Sequence, residues 1–368
     1  MFQGKAIILI GARQVGKSTL LRQILEEKQL PVPQEQILTL NCDDARTREM
    51  LAHADNLNDI SNLVAGQRII VMDEAQRVQG IGLTLKMITD QFKEVQLLVT
   101  GSSSFMLQGD LNEPLTGRKY EYHLYPLSTQ ELMNDGGLLR VTQTFESRLV
   151  YGSYPDVINS NTNIQEILLN LSGSYMYQDL LSMESVRKPV LIEKLLVALA
   201  LQVGSEVSYN ELAQTLHSDA KTVEKYIDLL EKCYIVFRLN GLSRNIRNEL
   251  KQAKKIYFYD NGIRNALIQN FNPLNLRQDT GALWENFFIS ERLKHNHYNG
   301  IYANTYFWRT QTQQEIDYIE ERDGTMTAFE MKWNPKKGRT TFPKSFLEAY
   351  PVKETVAVTP DNYLDWLV

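Results

Sequence analysis

The sequence predicts an α/β fold that begins with a parallel β-sheet carrying helices on both faces. An apolar run, Ala6–Ile10, leads through a glycine-containing loop into a helical segment, and a second apolar run, Ile69–Met72, ends in two acids. Strand-like and helix-like segments alternate over about the first hundred residues, which is typical of parallel strands joined by helices. A helical region and then a smaller α/β region are predicted to follow.

The loop after the first apolar run has the spacing of a phosphate-binding loop. Gly11–Ser18 fits the pattern G-x-x-x-x-G-K-[ST], and a helix is predicted over Thr19–Glu27. The two glycines let the backbone wrap closely around a phosphate chain, and the N–H groups of the loop and helix start supply positive dipoles. Lys17 is expected to reach the β- and γ-phosphates and Ser18 to hold Mg²⁺, so ATP and Mg²⁺ are the expected cofactors.

A buried strand with acids at its carboxyl end is predicted at residues 68–74. Four apolar residues run directly into Asp73 and Glu74. Because ligands of open α/β sheets sit at the carboxyl ends of the strands, we expect Asp73 to face the Mg²⁺ shell beside Ser18. Glu74 is then placed to polarise an attacking water as the general base of hydrolysis.

A further strand, Val95–Val99, ends in a run of small hydroxyl residues. Thr100 and Ser102 can hydrogen-bond the γ-phosphate or the attacking water, but turn formation and N-capping explain the same residues equally well. With them, the predicted nucleotide-binding residues are Gly11, Ala12, Arg13, Gln14, Val15, Gly16, Lys17, Ser18, Thr19, Thr100 and Ser102.

Arg118 precedes the next predicted strand, Lys119–Leu127. An arginine there can stabilise the charge that develops during phosphoryl transfer, in its own subunit or across an interface between subunits, so Arg118 is a catalytic candidate. A plain surface arginine is the alternative. The following Ser128–Glu131 has the sequence of a capping box and is assigned a structural role at a helix start.

Length, charge and cysteine content exclude several classes. At 368 residues the chain is long for one domain, and its net charge of −5 gives no global attraction to nucleic acid. Two cysteines are too few for a disulfide scaffold. No apolar stretch reaches the ~20 residues of a membrane span, and no signal peptide is evident, which predicts a cytoplasmic protein without a membrane partner. The abrupt start in a strand suggests that a short N-terminal piece is absent.

Several motifs together resemble a prokaryotic family of AAA-type ATPases. They are the phosphate loop, Asp73-Glu74, Thr100–Ser103, Gly117-Arg118, Tyr125–Ser128, Gly152–Asp156 and Tyr257–Gly262. The resemblance implies a helical middle and a C-terminal domain of unassigned function. The chain is therefore divided into a P-loop ATPase domain (1–135), a helical and winged helix-turn-helix region (136–250) and a C-terminal domain (251–368).

The middle region contains helix, turn, helix and strand in that order over residues 207–239, with the second helix at Ala220–Lys232. This order indicates a winged helix-turn-helix. Lys221, Thr222 and Lys225 then lie near the start of the helix that would meet bases. A winged helix that only packs against protein is the alternative.

Residues 232–255 form a strongly basic stretch with seven Lys or Arg against one acid, Glu249. Such a stretch can neutralise phosphates and give salt-dependent binding, so DNA is a candidate partner through the winged helix and this stretch. Its cations are Lys232, Arg238, Arg244, Arg247, Lys251, Lys254 and Lys255.

A small α/β region is predicted in the C-terminal third. A helix runs from Gly281 to about Lys294, and strands follow at Tyr302–Arg309, Glu315–Ile319 and Met326–Trp333. Asp323-Gly324 is a hairpin signal between the last two strands.

Four charged residues of this region follow the order of a nuclease centre: Glu285, Asp317, Glu330 and Lys332. Glu330 and Lys332 fall on the same strand face because side chains alternate along a strand. The set resembles the restriction-endonuclease-like, PD-(D/E)xK, superfamily. The resemblance implies that Glu285, Asp317 and Glu330 hold a divalent metal and that Lys332 orients or activates a water. No proline precedes Asp317, which departs from the pattern, and a cross-strand salt bridge is the alternative.

These features predict an ATP-binding and ATP-hydrolysing protein that acts on or near DNA, with a nuclease-like C-terminal domain. The alternative is a nucleotide-switched regulatory protein whose C-terminal domain is an inactive binding module, with an unknown protein partner. A homo-oligomer in which Arg118 acts on a neighbouring subunit is a further candidate.

Overall fold

The computed structural model describes residues 2–26, 32–54, 56–102, 115–160, 162–175, 180, 188–243, 254–334 and 341–368. The chain divides into two compact units. The first holds the described residues up to Tyr125 together with Leu180 and Lys232–Tyr234, and the second holds the rest from Pro126 onward. In the described ranges no helix has the length and apolar character that a membrane crossing needs.

The described part of the first unit contains a five-stranded sheet in the order β2-β3-β4-β1-β5, in which all neighbouring strands are parallel. Three of the strands are buried almost along their whole length, as expected for a sheet covered on both faces. The strands are β1 (Ala6–Gly11), β2 (Ile37–Asn41), β3 (Ile69–Asp73), β4 (Gln96–Gly101) and β5 (Lys119–Leu124).

Helices cover both faces of this sheet. Alternation along β1 sends Ile8 into an apolar cluster that contains Leu85, and sends Leu9 into a second cluster with Leu21. This arrangement confirms the predicted α/β class with a helix-covered parallel sheet. The helices are α1 (Lys17–Glu26), α2 (Ala45–Ala52), α3 (Leu57–Val64) and α4 (Ile81–Gln91).

After the first sheet, the described chain continues with further helices and a second sheet. The first of these helices begins at the predicted capping box, which is confirmed: the Ser128 hydroxyl accepts from the Glu131 amide at 3.2 Å, and the Glu131 carboxylate accepts from the Ser128 amide at 2.8 Å. The helices are α5 (Thr129–Tyr151), α6 (Pro155–Asn159), α7 (Ile164–Asn170), α8 (Pro189–Leu201), α9 (Tyr209–Thr215), α10 (Ala220–Lys232), α11 (Asn261–Leu267), α12 (Thr280–Tyr298) and α13 (Lys344–Ala349).

The second sheet is mixed and has the order β12-β11-β10-β9-β7-β8-β6 in the described residues. Asp323 and Gly324 both have positive φ, 52° and 76°, which fits the predicted hairpin between β10 and β11. β11 and β12 are parallel, and α13 connects them. The strands are β6 (Glu206–Val207), β7 (Val236–Gly241), β8 (Lys254–Phe258), β9 (Asn304–Arg309), β10 (Glu315–Arg322), β11 (Thr325–Met331) and β12 (Val352–Val358).

The boundary predicted near residue 250 does not separate two compact units. β7 lies before that point and β8 after it, yet the two pair antiparallel over five residues, and β7 also pairs with β9. The helix-turn-helix-strand order expected over 207–239 is present as α9, α10 and β7, but its last strand belongs to the sheet of the C-terminal region. Backbone hydrogen bonding across this sheet therefore joins what the sequence suggested were two domains.

Two of the later sequence motifs meet in a buried polar contact. Asp260 accepts from the Ser153 amide at 2.7 Å and from the Ile263 amide at 3.1 Å, so it caps α11 and ties it to the end of α5. Gly262 lies so close to this end that a Cβ there would stand 2.1 Å from the Tyr151 carbonyl oxygen. The motifs Gly152–Asp156 and Tyr257–Gly262 thus have a structural role in the second unit.

Replacing Gly262 by Ala tests this contact. We expect Gly262→Ala to lower the free energy of unfolding by about 1–3 kcal/mol, because the added methyl group forces two backbone segments apart. The measurement is the urea midpoint of the full-length chain, followed by circular dichroism.

Gly281 provides the matched control, because it is also the second residue of a helix but has no atom within 4 Å of a Cβ built on it. Gly281→Ala is expected to leave stability unchanged or raise it by up to about 1 kcal/mol. Equal losses for the two variants would contradict the proposed contact.

Candidate functional site

The phosphate loop joins β1 to α1, and α1 begins at Lys17, two residues earlier than predicted. A Cβ on Gly11 would lie 2.2 Å from the Leu124 carbonyl oxygen, so glycine is required where β1 and β5 end together. Gly16 has a φ of 100°, a conformation that side chains disfavour. The loop therefore lies at the carboxyl edge of the parallel sheet, where the sequence predicted a ligand.

The remaining loop residues differ in exposure. Ala12 and Val15 are buried beneath the loop, whereas Gln14 and Thr19 face solvent. The Lys17 ammonium is buried and donates to the carbonyl oxygens of Gly11 at 3.1 Å and Ala12 at 2.7 Å. Its positive charge is thus held at the loop, as phosphate binding requires.

Asp73, the last residue of β3, contacts residues that follow β1 or lie near the end of β4. Its Oδ1 atom accepts from the Ser18 hydroxyl at 3.1 Å and from the Thr100 hydroxyl. The sheet register produces this convergence, because β4 pairs with β3 on one side and with β1 on the other. Hydroxyl and carboxylate oxygens are the ligands that Mg²⁺ prefers, so Ser18 and Asp73 fit the predicted metal.

Glu74 is positioned by two further contacts. Its backbone has φ 55° and ψ 41°, a strained conformation for a residue with a side chain, and its amide donates to the Thr100 hydroxyl at 3.0 Å. The side-chain amide of Gln76 donates to the Glu74 carboxylate, and the Gln76 oxygen accepts from the Ser102 amide at 3.1 Å. Sequence reasoning missed Gln76, although its place two residues after Glu74 was a usable signal.

The acids at this edge also affect a neighbouring thiol. Burial, followed by the negative charges of Asp73, Asp43 and Glu74, raises the pKa of Cys42 to about 12. The thiol therefore stays protonated at neutral pH. Burial is the larger cause of the shift, and the smaller part that the three acids contribute comes from negative charge at this edge.

Arg118 lies at the amino-terminal ends of β1 and β5, whereas the phosphate loop lies at their carboxyl-terminal ends. It precedes β5, whose first residue pairs with Ala6 and whose last pairs with Gly11, so about 20 Å of strand separates Arg118 from the loop. Its guanidinium pairs with Asp90 at 2.5 Å. The predicted contact between Arg118 and the phosphates of its own subunit is therefore wrong, and only the role across a subunit interface stays a prediction.

A second group of charged residues lies in the second unit, on α12, β10 and β11. Asp317 accepts from the Met331 amide at 2.9 Å, and the Lys332 ammonium pairs with Glu330 at 3.0 Å. Burial and then the nearby Asp317 raise the pKa of Glu330 to about 7. The structure thus brings together Asp317, Glu330 and Lys332 as predicted.

Glu285 has different partners from those predicted. It accepts from the Lys255 ammonium at 3.1 Å and from the Tyr257 hydroxyl at 2.6 Å, both on β8. Burial and then Asp317 raise its pKa to about 7, although Lys255 opposes the shift. In the described ranges, no three His, Cys, Asp or Glu side chains gather where they could hold a metal. The predicted set of three metal-binding carboxylates, Glu285, Asp317 and Glu330, is therefore not assembled.

Two of the described cations in the basic stretch have acidic partners within the second unit. Arg244, Arg247 and Lys251 lie outside the described residues. Arg238 pairs with Asp228 at 2.7 Å and with Glu231, and Lys255 is buried. The sequence predicted that Arg238 and Lys255 are available to DNA, because it does not reveal which acids they pair with in the folded chain.

The start of α10 presents two exposed lysines, Lys221 and Lys225. Between them, the Thr222 hydroxyl donates to Asp219 at 2.7 Å, and the Thr222 amide donates to the same carboxylate at 2.9 Å. Thr222 therefore serves the helix start, and the two lysines are the exposed cations of this segment.

Comparison with protein families divides the chain into three matched regions. Residues 3–133 match the family model of an AAA domain. Residues 142–274 match a domain of unknown function (DUF8612), and residues 280–365 match another (DUF4143). The chain therefore carries an AAA-type, nucleotide-binding ATPase domain in its first part.

Similar proteins include uncharacterized ones from two bacteria. The chain is 26% identical over 275 residues to one from Haemophilus influenzae, covering 71% of this chain and 68% of that one. It is 27% identical over 339 residues to one from Mycobacterium tuberculosis, covering 90% and 71%. Among solved structures, the Orc1 protein of Aeropyrum pernix in complex with DNA is 15% identical and covers 72% of this chain and 86% of that one, with a TM-score of 0.30. A TM-score this low supports no inference about this chain.

Proposed function

We propose that the first unit binds ATP with Mg²⁺ and hydrolyses it, and that the chain uses this cycle on or near DNA. The observation that supports hydrolysis is the position of Asp73, whose carboxylate meets both the Ser18 and the Thr100 hydroxyls. Glu74 follows directly, and its amide is held by the same threonine. A phosphate loop, a metal-binding acid and an adjacent general base then lie at one edge.

Each residue has a defined part in the reaction. Lys17 would pair with phosphate oxygens. Ser18 and Asp73 would hold Mg²⁺, which when bound would neutralise charge on the phosphates. Glu74 takes a proton from water as the water oxygen bonds to the γ-phosphorus. The bond from that phosphorus to the β–γ bridging oxygen breaks, which yields ADP and inorganic phosphate. Gln76 is a positioning residue, because it acts through Glu74.

Substitution of the proposed base separates binding from turnover. Glu74→Gln keeps the size of the side chain and the contact of the backbone amide with Thr100, but it removes the basicity of the side chain. We expect the affinity for a fluorescent ATP analogue to stay close to that of the parent, while phosphate release falls at least about 100-fold.

Glu35→Gln is the control, because Glu35 is an exposed acid elsewhere in the same unit. It is expected to keep the parent turnover. Parent-like turnover in Glu74→Gln would overturn the assignment of the base, and a parent without affinity for ATP would overturn the nucleotide proposal itself.

The proposed DNA contact is supported by Lys221 and Lys225. They lie four residues apart, so they share one face at the start of α10, the second helix of the helix-turn-helix. Both are exposed. Two lysines at the start of such a helix are placed to meet the phosphate backbone.

The salt dependence of DNA binding tests this contact. The double variant Lys221→Ala/Lys225→Ala is expected to bind duplex DNA more weakly, and the slope of log K against log salt should shrink by about 1.8. The measurement is fluorescence anisotropy over a range of salt concentrations.

Lys344→Ala/Lys353→Ala is the matched control, since it removes two exposed lysines elsewhere in the second unit. It should leave the slope as in the parent. If the parent fails to bind DNA at low salt, the DNA proposal is wrong, and the regulatory alternative with a protein partner is favoured.

A second candidate function is metal-dependent cleavage of phosphodiester bonds in the second unit. Asp317 and Glu330 on neighbouring strands, with Lys332 on the face of Glu330, support it. The predicted centre requires a helix followed by neighbouring strands, and both are present. α12 precedes β9, β10 and β11, and α13 then leads to β12, which is parallel to β11. Water would add a hydroxyl group to phosphorus, a P–O bond to the sugar would break, and the proton would end on the leaving oxygen.

Cleavage assays with Mg²⁺ or Mn²⁺ on several DNA forms test this second function. Lys332→Ala is expected to slow cleavage at least about 100-fold, the range for a positioned catalytic side chain. Lys353→Ala, at an exposed position on β12, should cleave like the parent. Cleavage that survives Lys332→Ala would exclude this centre, and a parent that cleaves nothing would favour the inactive binding module.

A homo-oligomer is the arrangement in which Arg118 would contact a phosphate loop. Because Arg118 cannot reach its own phosphate loop, a catalytic role requires a second subunit whose loop faces this edge. Its side chain is 36% exposed despite the pair with Asp90.

A further inference from the structure

Lys255 is a buried charged residue that neither proposed reaction uses. Its side chain is 2% exposed and lies on β8, facing the acids of the second unit. Burying an ammonium group costs free energy unless acidic groups pair with it. The acidic partners of Lys255 therefore decide whether this charge is tolerated in the interior.

Those partners come from two different elements. The ammonium pairs with Glu285 of α12 at 3.1 Å and with Glu315 of β10 at 2.7 Å, and it lies 5.5 Å from the centre of the Phe307 ring. Burial lowers the pKa of Lys255, but Glu285, Asp317 and Glu315 outweigh burial and raise it above its ordinary value. Lys255 is therefore a fixed positive charge at neutral pH.

The contacts of Glu285 occupy one of its two carboxylate oxygens. Its Oε1 atom accepts both from Lys255 and from the Tyr257 hydroxyl, which is fully buried. Two donors fill the two lone pairs of that oxygen. Asp317 and Glu330, in contrast, pair with the Met331 amide and with Lys332, whose side chain is 45% exposed.

We propose that Lys255 is the built-in cation of this acidic cluster, and that it takes the place a second divalent ion would occupy between Glu285 and Glu315. The cluster then binds a single divalent ion, on Asp317 and Glu330, and Glu285 is not a metal ligand. Lys255 is a positioning residue, because it holds the two glutamates away from the metal. The metal count rests on the proposed metal-dependent function, whereas the role of Lys255 does not.

Counting bound Mn²⁺ in the full-length chain without nucleotide tests this inference. Free Mn²⁺ is measured by electron paramagnetic resonance, and bound Mn²⁺ is obtained by difference. Any ion bound at the nucleotide site adds equally to the count of every variant, so it does not affect differences between them. Lys255→Met removes the charge at nearly constant length and is expected to bind one more Mn²⁺ than the parent. Lys255→Met/Glu285→Gln should lose that gain.

Glu285→Gln alone provides a test that does not leave a buried carboxylate unpaired. It should bind as many Mn²⁺ ions as the parent, whereas Asp317→Asn should bind one fewer. Loss of an ion in Glu285→Gln would overturn the inference, as would a folded Lys255→Met that gains none.

The two proposals fail separately. If Asp317→Asn binds the same number of ions as the parent, the metal-dependent function proposed for Asp317 and Glu330 is wrong. A gain of one ion in Lys255→Met would still support the internal cation in that case.

Discussion

Parallel pairing of β1, β4 and β3 is the constraint on which the nucleotide site depends. Ser18 and Asp73 are 55 residues apart in sequence, yet they hydrogen-bond at 3.1 Å. Parallel strands end at the same edge, so the phosphate loop that follows β1, the last residue of β3 and a hydroxyl near the end of β4 meet there. The loop itself carries the chain from the end of β1 to Ser18 at the start of α1. The apolar strands are buried on both faces, so the register that builds the site is stabilised by the core beneath it.

The second unit is constrained by buried charge. Arg148 and Glu291 pair at 3.1 Å with almost no exposure, and Lys294 pairs with the same glutamate at 2.7 Å. Removing one partner of such a group leaves a charge in the interior, which is more costly than losing an exposed pair. Asp260 adds a polar contact between helices. The Asp260 contact gives the motifs Gly152–Asp156 and Tyr257–Gly262 a structural role, because it joins a residue of each.

Sequence reasoning predicted the positions of those site residues that are encoded in contiguous segments. The phosphate loop and Asp73-Glu74 could be placed at the carboxyl ends of β1 and β3 because each occupies a short segment at the end of a predictable strand. Lys255 could not, because a lysine in a basic stretch is expected to face solvent, and only the packing of α12 against β8 brings it to Glu285. Arg118 was misplaced for a related reason: the sequence shows that it precedes a strand, but not that this strand runs parallel to β1, which puts Arg118 at the end away from the phosphate loop.

The distribution of charge also limits which residues could make the proposed contact with DNA. Of the cations that the sequence groups at 232–255, Arg238 and Lys255 neutralise acids of their own unit. An ammonium held between two carboxylates releases no counterions from DNA, so it adds nothing to salt-dependent affinity. With a net charge of −5 overall, attraction to phosphate must come from a few local cations. Lys221 and Lys225 meet this requirement because they are exposed on one face of α10, whereas the buried lysine serves the acidic cluster.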